Sequence, residues 1–430
     1  MLKCTYACNA LDHQISRRSL LASLAGGAAG AIGLGGLVHP AVADQLKSSQ
    51  KRVLIVFLAG GSSQLETWDP KPGTDTGGPF LAIPTSVPGT HICELLPYTA
   101  KQMHRLAIVR SINTAEDDHG KGHYMMETGR RDEPAMKYPA IGSVASKFLG
   151  DADNVLPGYI HITPGGGGSF GKADAAFLGP KFASVALGDG TLPPTAVRPE
   201  SLSESADRMR NALRQRLDNR FMARRRTAET EAYSQSYEQA AELMTKREVF
   251  DVTKESPRDL ERYGTHDFGR HLLLARRLLE RGITCVKVSH SNYDTHNENF
   301  DFHIEQLGEF DRPFATLIED LGDRGLLAST LVVVMAEFGR TPKINHLMGR
   351  DHWSRAWSVC LAGAGVQPGA LIGKTNANGT AVAEREVGAG HLFHTYFRAL
   401  GLDPAKKYFV NDQPIPMGDP TASAIQELLA

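Results

Sequence analysis

Cysteine is scarce in this 430-residue chain, which contains five. Three of them, Cys93, Cys285 and Cys360, lie far apart in the sequence. Their spacing provides neither a disulfide framework nor a CxxC metal-binding motif. Cys285 and Cys360 stand within apolar runs, which predicts that both are buried thiols.

An excess of charge is also missing, because 47 basic residues are balanced by 48 acidic ones. This balance excludes a strongly basic nucleic-acid-binding protein and a polybasic membrane anchor. We therefore expect no nucleic-acid partner. The composition is otherwise ordinary for a globular protein, and the chain is long enough to bury a large core in one or two domains.

The N-terminal segment has the composition of an export signal. Arg17–Arg18 precede an apolar stretch rich in glycine and alanine from Ala22 to Val38, and Ala41–Ala43 provide the small residues of a cleavage site. This order predicts a twin-arginine (Tat) signal peptide over residues 1–43, recognised by the Tat export machinery. The apolar stretch is short, so we expect no stable transmembrane span after cleavage and a periplasmic or extracellular location.

Short apolar runs alternate with amphipathic segments along the rest of the chain. The runs are too short for helices and too apolar for exposed strands, which predicts strands buried on both faces. Predicted strands include Arg52–Leu58, Ile283–Val288, Leu331–Met335 and Trp357–Leu361, and predicted helices include His266–Arg281 and Phe300–Asp323. The alternation predicts one α/β domain over residues 44–430, with a doubly wound, mostly parallel sheet flanked by helices.

Residues from about 201 to 256 interrupt this alternation. The part from Ser201 to Glu248 contains no glycine or proline and is rich in arginine, which predicts a helical arm inserted into the sheet domain. Four apolar residues recur at intervals of four, and we expect them to face inward on one side of a helix. They are Met209, Leu213, Leu217 and Phe221. We expect the arginines to form a solvated face paired with nearby acids.

Polar side chains follow two of the predicted strands. Asp294 and His296 come after one of them, and Glu337 and, further on, His352 come after the other. In open α/β sheets, the loops beyond strand carboxyl ends meet at one edge and bind ligands. Imidazole and carboxylate groups suit zinc, manganese or iron, whereas calcium would need more oxygen ligands. These four side chains are therefore candidate ligands of a divalent metal.

Two further segments are candidates for the same site. Asp118, His119 and His123 are predicted to share its cavity, where the two histidines and Glu337 would be catalytic acid–base groups or further ligands. A polar loop that only caps the following helix is the alternative explanation for this segment. Gly60 and Gly61 follow the first strand and could offer backbone amides to an anion, although a plain turn also explains them.

The blocks YDTHNENF, VVVMAEFGRTPKIN and GRDHWSRAWSVCLAGAG resemble those of an exported bacterial protein family of unknown function, related to the sulfatases and alkaline phosphatases. The resemblance implies an alkaline-phosphatase-like α/β core, in which Asp and His residues hold two metals beside a Ser, Thr or modified Cys nucleophile. The segment Met126–Arg130 resembles the end of the sulfatase nucleophile motif, which places His119 at the nucleophile position. Active members of the sulfatase and alkaline phosphatase superfamily usually have a metal-binding Asp at the position of Ala59–Gly61. They usually have Asp-His-Gly at the position of Glu337–Gly339. The resemblance thus implies one metal position and no ordinary nucleophile.

Three functions remain open at this stage. The first is a metal-dependent hydrolase of phosphate or sulfate esters, with direct attack by water. In this hydrolase Arg340 would be an oxyanion clamp. The other candidate substrate-binding residues are Arg130, Arg350, Gly60 and Gly61. The second is a non-catalytic protein that binds a small anion or a glycan in the same cleft. The third is a structural component of the cell envelope that uses the helical arm as an interface.

Overall fold

The computed structural model describes residues 50–150, 156–164, 174–192, 198–223, 234, 237–238, 241, 243–410 and 413–429. The predicted signal peptide, residues 1–43, lies outside the described residues, as does part of the predicted arm beyond residue 223. Over the described ranges, every helix is too short or too polar to cross a membrane.

The described residues form sixteen strands and eight α-helices. The strands are β1 (Arg52–Leu58), β2 (Ala82–Pro84), β3 (His91–Cys93), β4 (Leu106–Ile112), β5 (Tyr159–Ile162), β6 (Val185–Ala186), β7 (Cys285–His290), β8 (Thr330–Met335), β9 (Gly339–Arg340), β10 (His352–Trp353), β11 (Trp357–Ala362), β12 (Leu371–Ile372), β13 (Lys374–Thr375), β14 (Val382–Glu384), β15 (Lys407–Val410) and β16 (Gln413–Pro416). The helices are α1 (Pro97–Gln102), α2 (His119–Thr128), α3 (Ile141–Leu149), α4 (Glu204–Met222), α5 (Pro257–Tyr263), α6 (Asp267–Glu280), α7 (Asn299–Asp323) and α8 (Ala389–Ala399).

Eight of the strands form one central sheet in the order β12-β4-β11-β8-β1-β7-β5-β6. Its neighbours pair in parallel, except that β11 runs antiparallel to both β8 and β4. Every residue of β1, β7 and β8 is buried, as their continuous apolar runs predicted. The predicted α/β fold with a mostly parallel sheet is confirmed, and β11 is its antiparallel exception.

Helices cover both faces of the sheet. Successive residues of a strand point to opposite faces, and β7 shows which helix lies on each side. Lys287 contacts Glu127 of α2, with 2.7 Å between Nζ and Oε1. His290, three positions further along, stacks on Phe268 of α6 with ring centroids 4.2 Å apart. The central strands are therefore enclosed between the two helical layers.

The strand directions bring several loops to one edge of the sheet. β1, β7 and β8 are neighbours and run in parallel, so the residues that follow them emerge together. β4 is antiparallel to β11, which is antiparallel to β8, so β4 ends at that edge as well. The connection from β4 to α2 consequently joins the loops after the three central strands.

The segment that was expected to be a polar loop around His119 and His123 is mostly helical. Helix α2 begins at His119, and the side chain of Asp118 caps it by accepting a hydrogen bond of 2.9 Å from Lys121 N. The capping role was the alternative explanation for this segment. Because the two histidines are four residues apart on a helix, each has a fixed direction relative to the sheet.

The arm begins with α4, so its predicted helical character is confirmed for Glu204–Met222. The predicted orientation is wrong, because the four apolar side chains at positions 209, 213, 217 and 221 are exposed by 67%, 57%, 57% and 50%. Most of the partly buried side chains of α4 belong to another, mainly polar, face of the helix. A four-residue spacing marks one side of a helix but does not determine which side meets the protein.

Candidate metal centre

The loops after the central strands are held close together at a glycine. Gly60 N donates a hydrogen bond of 2.9 Å to Glu337 Oε1, which joins the loop after β1 to the loop after β8. Gly60 has a φ of +113°, and a Cβ at this position would overlap the backbone nitrogen of Asp294. Gly61 packs against the ring of Phe338, 2.7 Å from an ideal Cβ. The two glycines thus permit close packing below the site.

His352 reaches the same place because the chain folds back after β8. The short strands β9 and β10 pair antiparallel, with His352 opposite Arg340. His352 Nε2 lies 3.3 Å from Asp294 Oδ1 and 3.1 Å from His296 Nε2. His296 Nε2 is in turn 3.1 Å from Asp294 Oδ1. His352 therefore meets two residues that lie more than fifty positions earlier in the sequence, as the strand-end argument predicted.

His119 completes the cluster from the first turn of α2. Its Nε2 lies 3.3 Å from Asp294 Oδ2, on the second oxygen of that carboxylate. One ligand atom each of His119, Asp294 and His352 lies within 4.8 Å of the others, which is compact enough for one ion. We call these three residues together with His296 the metal cluster.

Each histidine of the metal cluster is oriented by an acceptor at its Nδ1. Glu337 Oε1 lies 2.8 Å from Nδ1 of His119, and Asp351 Oδ1 lies 2.7 Å from Nδ1 of His296. The backbone carbonyl of Asp117 lies 2.7 Å from Nδ1 of His352. A carbonyl only accepts, so His352 Nδ1 carries a hydrogen, and the carboxylates favour the same tautomer in the other two rings. All three Nε2 atoms then turn their lone pairs toward Asp294.

Asp294 is held as a carboxylate at the centre of this arrangement. Burial raises its pKa, but the hydrogen bond from Arg340 Nη2 to Oδ1, at 2.5 Å, and the arginine charge outweigh burial and lower the pKa to about 2. Asp294 is therefore ionised at neutral pH and ready to accept a cation.

The donor set fits a divalent metal. Neutral imidazole nitrogens and an ionised carboxylate oxygen all accept, so their convergence at 3.1–3.3 Å is repulsive unless a cation or protons lie between them. Ligands at about 2.0–2.2 Å from a tetrahedral zinc lie roughly 3.4 Å apart, close to these separations. Imidazoles fixed through Nδ1 by carboxylate or carbonyl acceptors are typical of metal ligands.

Glu337 lies under the metal cluster and is 4% exposed. Its Oε1 accepts from Gly60 N and contacts His119, while its Oε2 is buried and has no hydrogen-bond partner among the described residues. The sequence predicted Glu337 as a ligand or a catalytic base. In the structure, His119 lies between Glu337 and Asp294, with Nδ1 on Glu337 and Nε2 on Asp294, and the predicted role of Glu337 stays a prediction.

The arginines that were predicted to bind substrate are committed within the protein. Arg340 is fully buried and donates to Asp294 and to the carbonyls of Gly60, Gly61 and Arg350. Arg350 is also fully buried, and it donates to both carboxylate oxygens of Glu66 and to three backbone carbonyls. These bonds make both arginines structural supports of the loops.

Arg130 is held by the C-terminal part of the chain. It donates to the carbonyls of Pro416 and Gly418, at 2.9 Å and 2.5 Å, and lies over the ring of Tyr138. Gly60 uses its backbone amide on Glu337 rather than offering it to an anion. The predicted anion-binding groups are thus largely occupied by the protein itself.

His123 lies on the side of α2 that faces β7. Its Nε2 is 3.0 Å from Lys287 Nζ, which also bonds to Glu127. Burial and the Lys287 charge lower the pKa of His123 to about 4, so it is neutral at physiological pH. A cavity of about 440 Å³ is lined by His123 and Asp118 but by no residue of the metal cluster. His119 does not line this cavity, and the catalytic role of His123 stays a prediction.

Sequence reasoning missed two features of the cluster. Asp351 orients His296, and its only signal in the sequence was its position beside His352. Phe338 contacts the rings of both His119 and His352, with centroids 4.9 Å and 4.4 Å apart, so an apolar side chain fixes two of the imidazoles.

Replacing Gly60 by alanine tests the close packing below the metal cluster. We expect a loss of at least ~2 kcal/mol of unfolding free energy, because the Cβ would need the strained positive φ and would displace the backbone of Asp294. Gly73→Ala is the matched control, since Gly73 has a φ of +74° but open space around it. Equal urea-unfolding free energies for the two variants would contradict the packing argument.

Comparison with known proteins gives a family and distant structural likenesses. The lipoteichoic acid synthase LtaP from Listeria monocytogenes is 10% identical, covering 86% of this chain and 75% of its own, with a TM-score of 0.39. The PsFucS1 sulfatase from Pseudoalteromonas sp. is 14% identical, covering 92% and 77%, with a TM-score of 0.39. The alkaline phosphatase from the Antarctic bacterium TAB5 is 13% identical, covering 83% and 99%, with a TM-score of 0.37.

Likenesses this distant assign no activity, although they include the sulfatase and alkaline phosphatase classes that the sequence predicted. No curated protein matches the chain. One family model matches residues 50–429, almost the whole chain, and its description is a protein of unknown function, DUF1501. The chain belongs to this DUF1501 family, which confirms the predicted membership of a family without an assigned activity.

Proposed function

We propose that this protein is a metal-dependent hydrolase of phosphate or sulfate esters that is exported by the Tat pathway. The observation that carries the proposal is the arrangement of three imidazoles around Asp294. Each has Nδ1 on an acceptor and Nε2 directed at the carboxylate. Oriented imidazoles that converge on a carboxylate are typical of metal ligands, and this supports the proposal.

His119, Asp294, His296 and His352 would hold the ion, and their nitrogen and oxygen donors favour zinc, manganese or iron over calcium. A divalent metal at this position would supply Lewis-acid polarisation of an ester oxygen and activation of water. Glu337, Asp351 and the Asp117 carbonyl would accept from Nδ1 and keep the imidazoles turned with Nε2 toward the ion.

The metal cluster is open to solvent on one side. The side chains of His119, Asp294 and His296 are 41%, 46% and 46% exposed. Catalytic metal sites keep a coordination position free for water or substrate, whereas structural sites are closed. Exposure of this size therefore supports a site that a small ester can reach.

Anionic esters are the proposed substrates because a dication with a free position attracts a phosphoryl or sulfuryl oxygen. Since Arg340 and Arg350 are committed to internal bonds, the ion itself would be the main anchor of the substrate anion. This differs from the oxyanion clamp that the sequence suggested for Arg340.

A non-catalytic protein that binds an anion or a glycan is the second candidate. Among the described residues, no serine or threonine hydroxyl and no cysteine thiol forms a hydrogen bond with a side chain of the metal cluster. Because Arg340 and Arg350 donate to groups within the protein, few donors remain to stabilise the charge of a transition state. These observations favour a binding protein if the metal is present but no ester is turned over.

Ester turnover separates these two candidates. We expect the wild type, loaded with zinc or manganese, to hydrolyse a p-nitrophenyl phosphate or sulfate ester. We expect kcat/KM of Asp294→Asn to fall by at least ~10³-fold, since the central ligand charge is lost. Asp301→Asn, at an exposed position of α7, is the control and should match the wild type. Metal-loaded wild type without turnover above the Asp294→Asn background would favour the binding protein.

A further inference from the structure

Helix α4 has an exposed apolar stripe, formed by Met209, Leu213, Leu217 and Phe221. The four side chains are exposed by 50–67%. At 3.6 residues per turn, a four-residue spacing keeps all of them on one side of the helix. Scattered apolar residues are normal on protein surfaces, but a continuous stripe along a helix is typical of an interaction surface.

The partly buried face of α4 is the polar one. Six side chains along the helix are half-buried, and four of them are polar or charged. They are Ala206, Asp207, Asn211, Arg214, Asp218 and Met222. Ala206, in the first turn, is in line with the apolar stripe, and the other five lie outside it. A surface helix of a globular protein ordinarily has the opposite arrangement, with apolar residues toward the core. The helix is thus oriented as if a second apolar environment lay on its outer side.

Contacts of the polar face with Ser234 and Tyr237 hold this orientation. Arg214 Nη1 donates to Asp218 Oδ2 at 2.7 Å, and the buried Ser234 Oγ donates to the same oxygen at 3.3 Å. The guanidinium of Arg214 also lies 4.8 Å from the centre of the Tyr237 ring. The apolar stripe is therefore turned outward by specific contacts.

The charges of α4 are segregated around the stripe. Arg210, Arg216 and Arg220 are exposed, lie beside or between the apolar residues on the helix, and have no ion-pair partner within the described ranges. The acids Asp207 and Asp218 lie on the half-buried face instead. A surface that combines exposed apolar side chains with unneutralised arginines fits a partner that is apolar and negatively charged.

A second copy of the chain does not fit this surface. In an antiparallel pair of α4 helices the stripe would match itself, with Leu213 against Leu217, but Arg210 would oppose Arg220. In a parallel pair each arginine would oppose its own counterpart. Like charges set against each other disfavour either arrangement.

We propose that α4 docks on an anionic lipid bilayer, with the apolar stripe in the interfacial region and the flanking arginines at the phosphate groups. Arginine stems cover apolar surface while the guanidinium reaches the polar layer, and the guanidinium pairs with phosphate through two parallel hydrogen bonds. Four apolar side chains and three cations without an ion-pair partner among the described residues give reversible rather than permanent attachment. The proposal is independent of the metal cluster and of any hydrolase activity.

Tryptophan placed on the helix tests the proposal in the full-length protein. Leu217→Trp puts the probe in the stripe, and Asn219→Trp puts it on another, exposed side of the same helix. With vesicles of phosphatidylcholine containing about one third phosphatidylglycerol, we expect a blue shift and quenching by brominated lipid at position 217 only. Any attachment through the N-terminal segment would be common to both variants, so the difference between positions reports α4 itself.

The arginines are tested in the Leu217→Trp background. Changing Arg210, Arg216 and Arg220 to glutamine should raise the lipid concentration at half-maximal shift on the order of a hundredfold, at about one kcal/mol per cation near an anionic membrane. Arg208→Gln is the control, since Arg208 is paired with Glu204 at 2.5 Å. Far-UV circular dichroism should be the same for all variants, because these side chains are exposed.

Other outcomes overturn the proposal. No shift at position 217, or an equal shift with pure phosphatidylcholine, would exclude an anionic bilayer as the partner. A shift that appears on raising the protein concentration without lipid would identify a second copy as the occupant. An equal shift with polyglutamate would point to an acidic protein instead.

Discussion

Replacing His352 by alanine should abolish stoichiometric metal binding. Wild-type protein purified without chelator is expected to contain about one divalent ion per chain, and His352→Ala should bind it at least ~100-fold more weakly. The reason is geometric, since Nε2 of His352 is 3.1 Å from His296 Nε2 and 3.3 Å from Asp294 Oδ1. Without this imidazole the remaining donors enclose a cation on fewer sides.

Elemental analysis and titration of chelator-treated protein measure this effect. His346→Ala is the matched control, because His346 is an exposed histidine of the same loop and should leave the metal content unchanged. Equal and negligible metal in the wild type and in His352→Ala would contradict the metal cluster. The convergent imidazoles would then be protonated donors to Asp294, and the non-catalytic candidate would gain support.

The proximity of Asp294, His296 and His352 could be predicted from the sequence, because these residues follow the ends of predicted strands. Two buried apolar runs fixed β7 and β8, and parallel strands bring their carboxyl ends to one edge. His119 was placed near this edge, as a further ligand or as a proton-transfer group. The two roles use the same residue type, so the sequence could not choose between them.

The strand directions could be predicted only in part. Strand β11 (Trp357–Ala362) is as apolar as β1, because both strands are buried on both faces. An apolar run in the sequence therefore indicates a buried strand but not the direction in which it runs. Whether such a strand runs parallel or antiparallel depends on the length and path of the preceding connection. The chain after β8 folds back through β9 and β10 and re-enters the sheet as an antiparallel strand.

The roles of Arg340 and Arg350 could not be predicted for a different reason. A loop arginine that binds substrate and one that holds the loop together have the same sequence signature, a cation after a strand end. What separates them is the set of carbonyls within reach, which depends on how several distant loops are packed. In this protein, N–H groups of both arginines donate to those backbone carbonyls.

The buried pair formed by Arg350 and Glu66 should be the largest single contribution of a loop residue to stability. Both side chains are fully buried, and Arg350 donates to Glu66 Oε2 at 3.0 Å and to Oε1 at 2.8 Å. Asn299 Nδ2 donates to Oε2 as well, at 3.0 Å. Glu66→Gln should lower the unfolding free energy by about 3–5 kcal/mol, because it leaves a buried guanidinium without a counter-charge.

Urea unfolding measures this loss of unfolding free energy, and two further variants serve as comparisons. Glu204→Ala removes the partner of Arg208 in a pair that is exposed on both sides, so it should have no measurable effect. The double variant Glu66→Leu/Arg350→Met should recover part of the loss, since it removes both buried charges together. A Glu66→Gln protein as stable as the wild type would show that the pair is not the main support of these loops.

The same pair gives a definite pH dependence. Burial raises the pKa of Glu66, but the charge and hydrogen bonds of Arg350 outweigh burial and hold the pKa below its ordinary value. A carboxyl whose pKa is lower in the folded state stabilises the fold fully above its unfolded pKa, about 4.3. That contribution disappears as the pH falls through the folded value, when the carboxylate takes up a proton. The stability difference between the wild type and Glu66→Gln should therefore be constant near neutral pH and shrink in acid, and a difference that grew on acidification would contradict the assigned charge state.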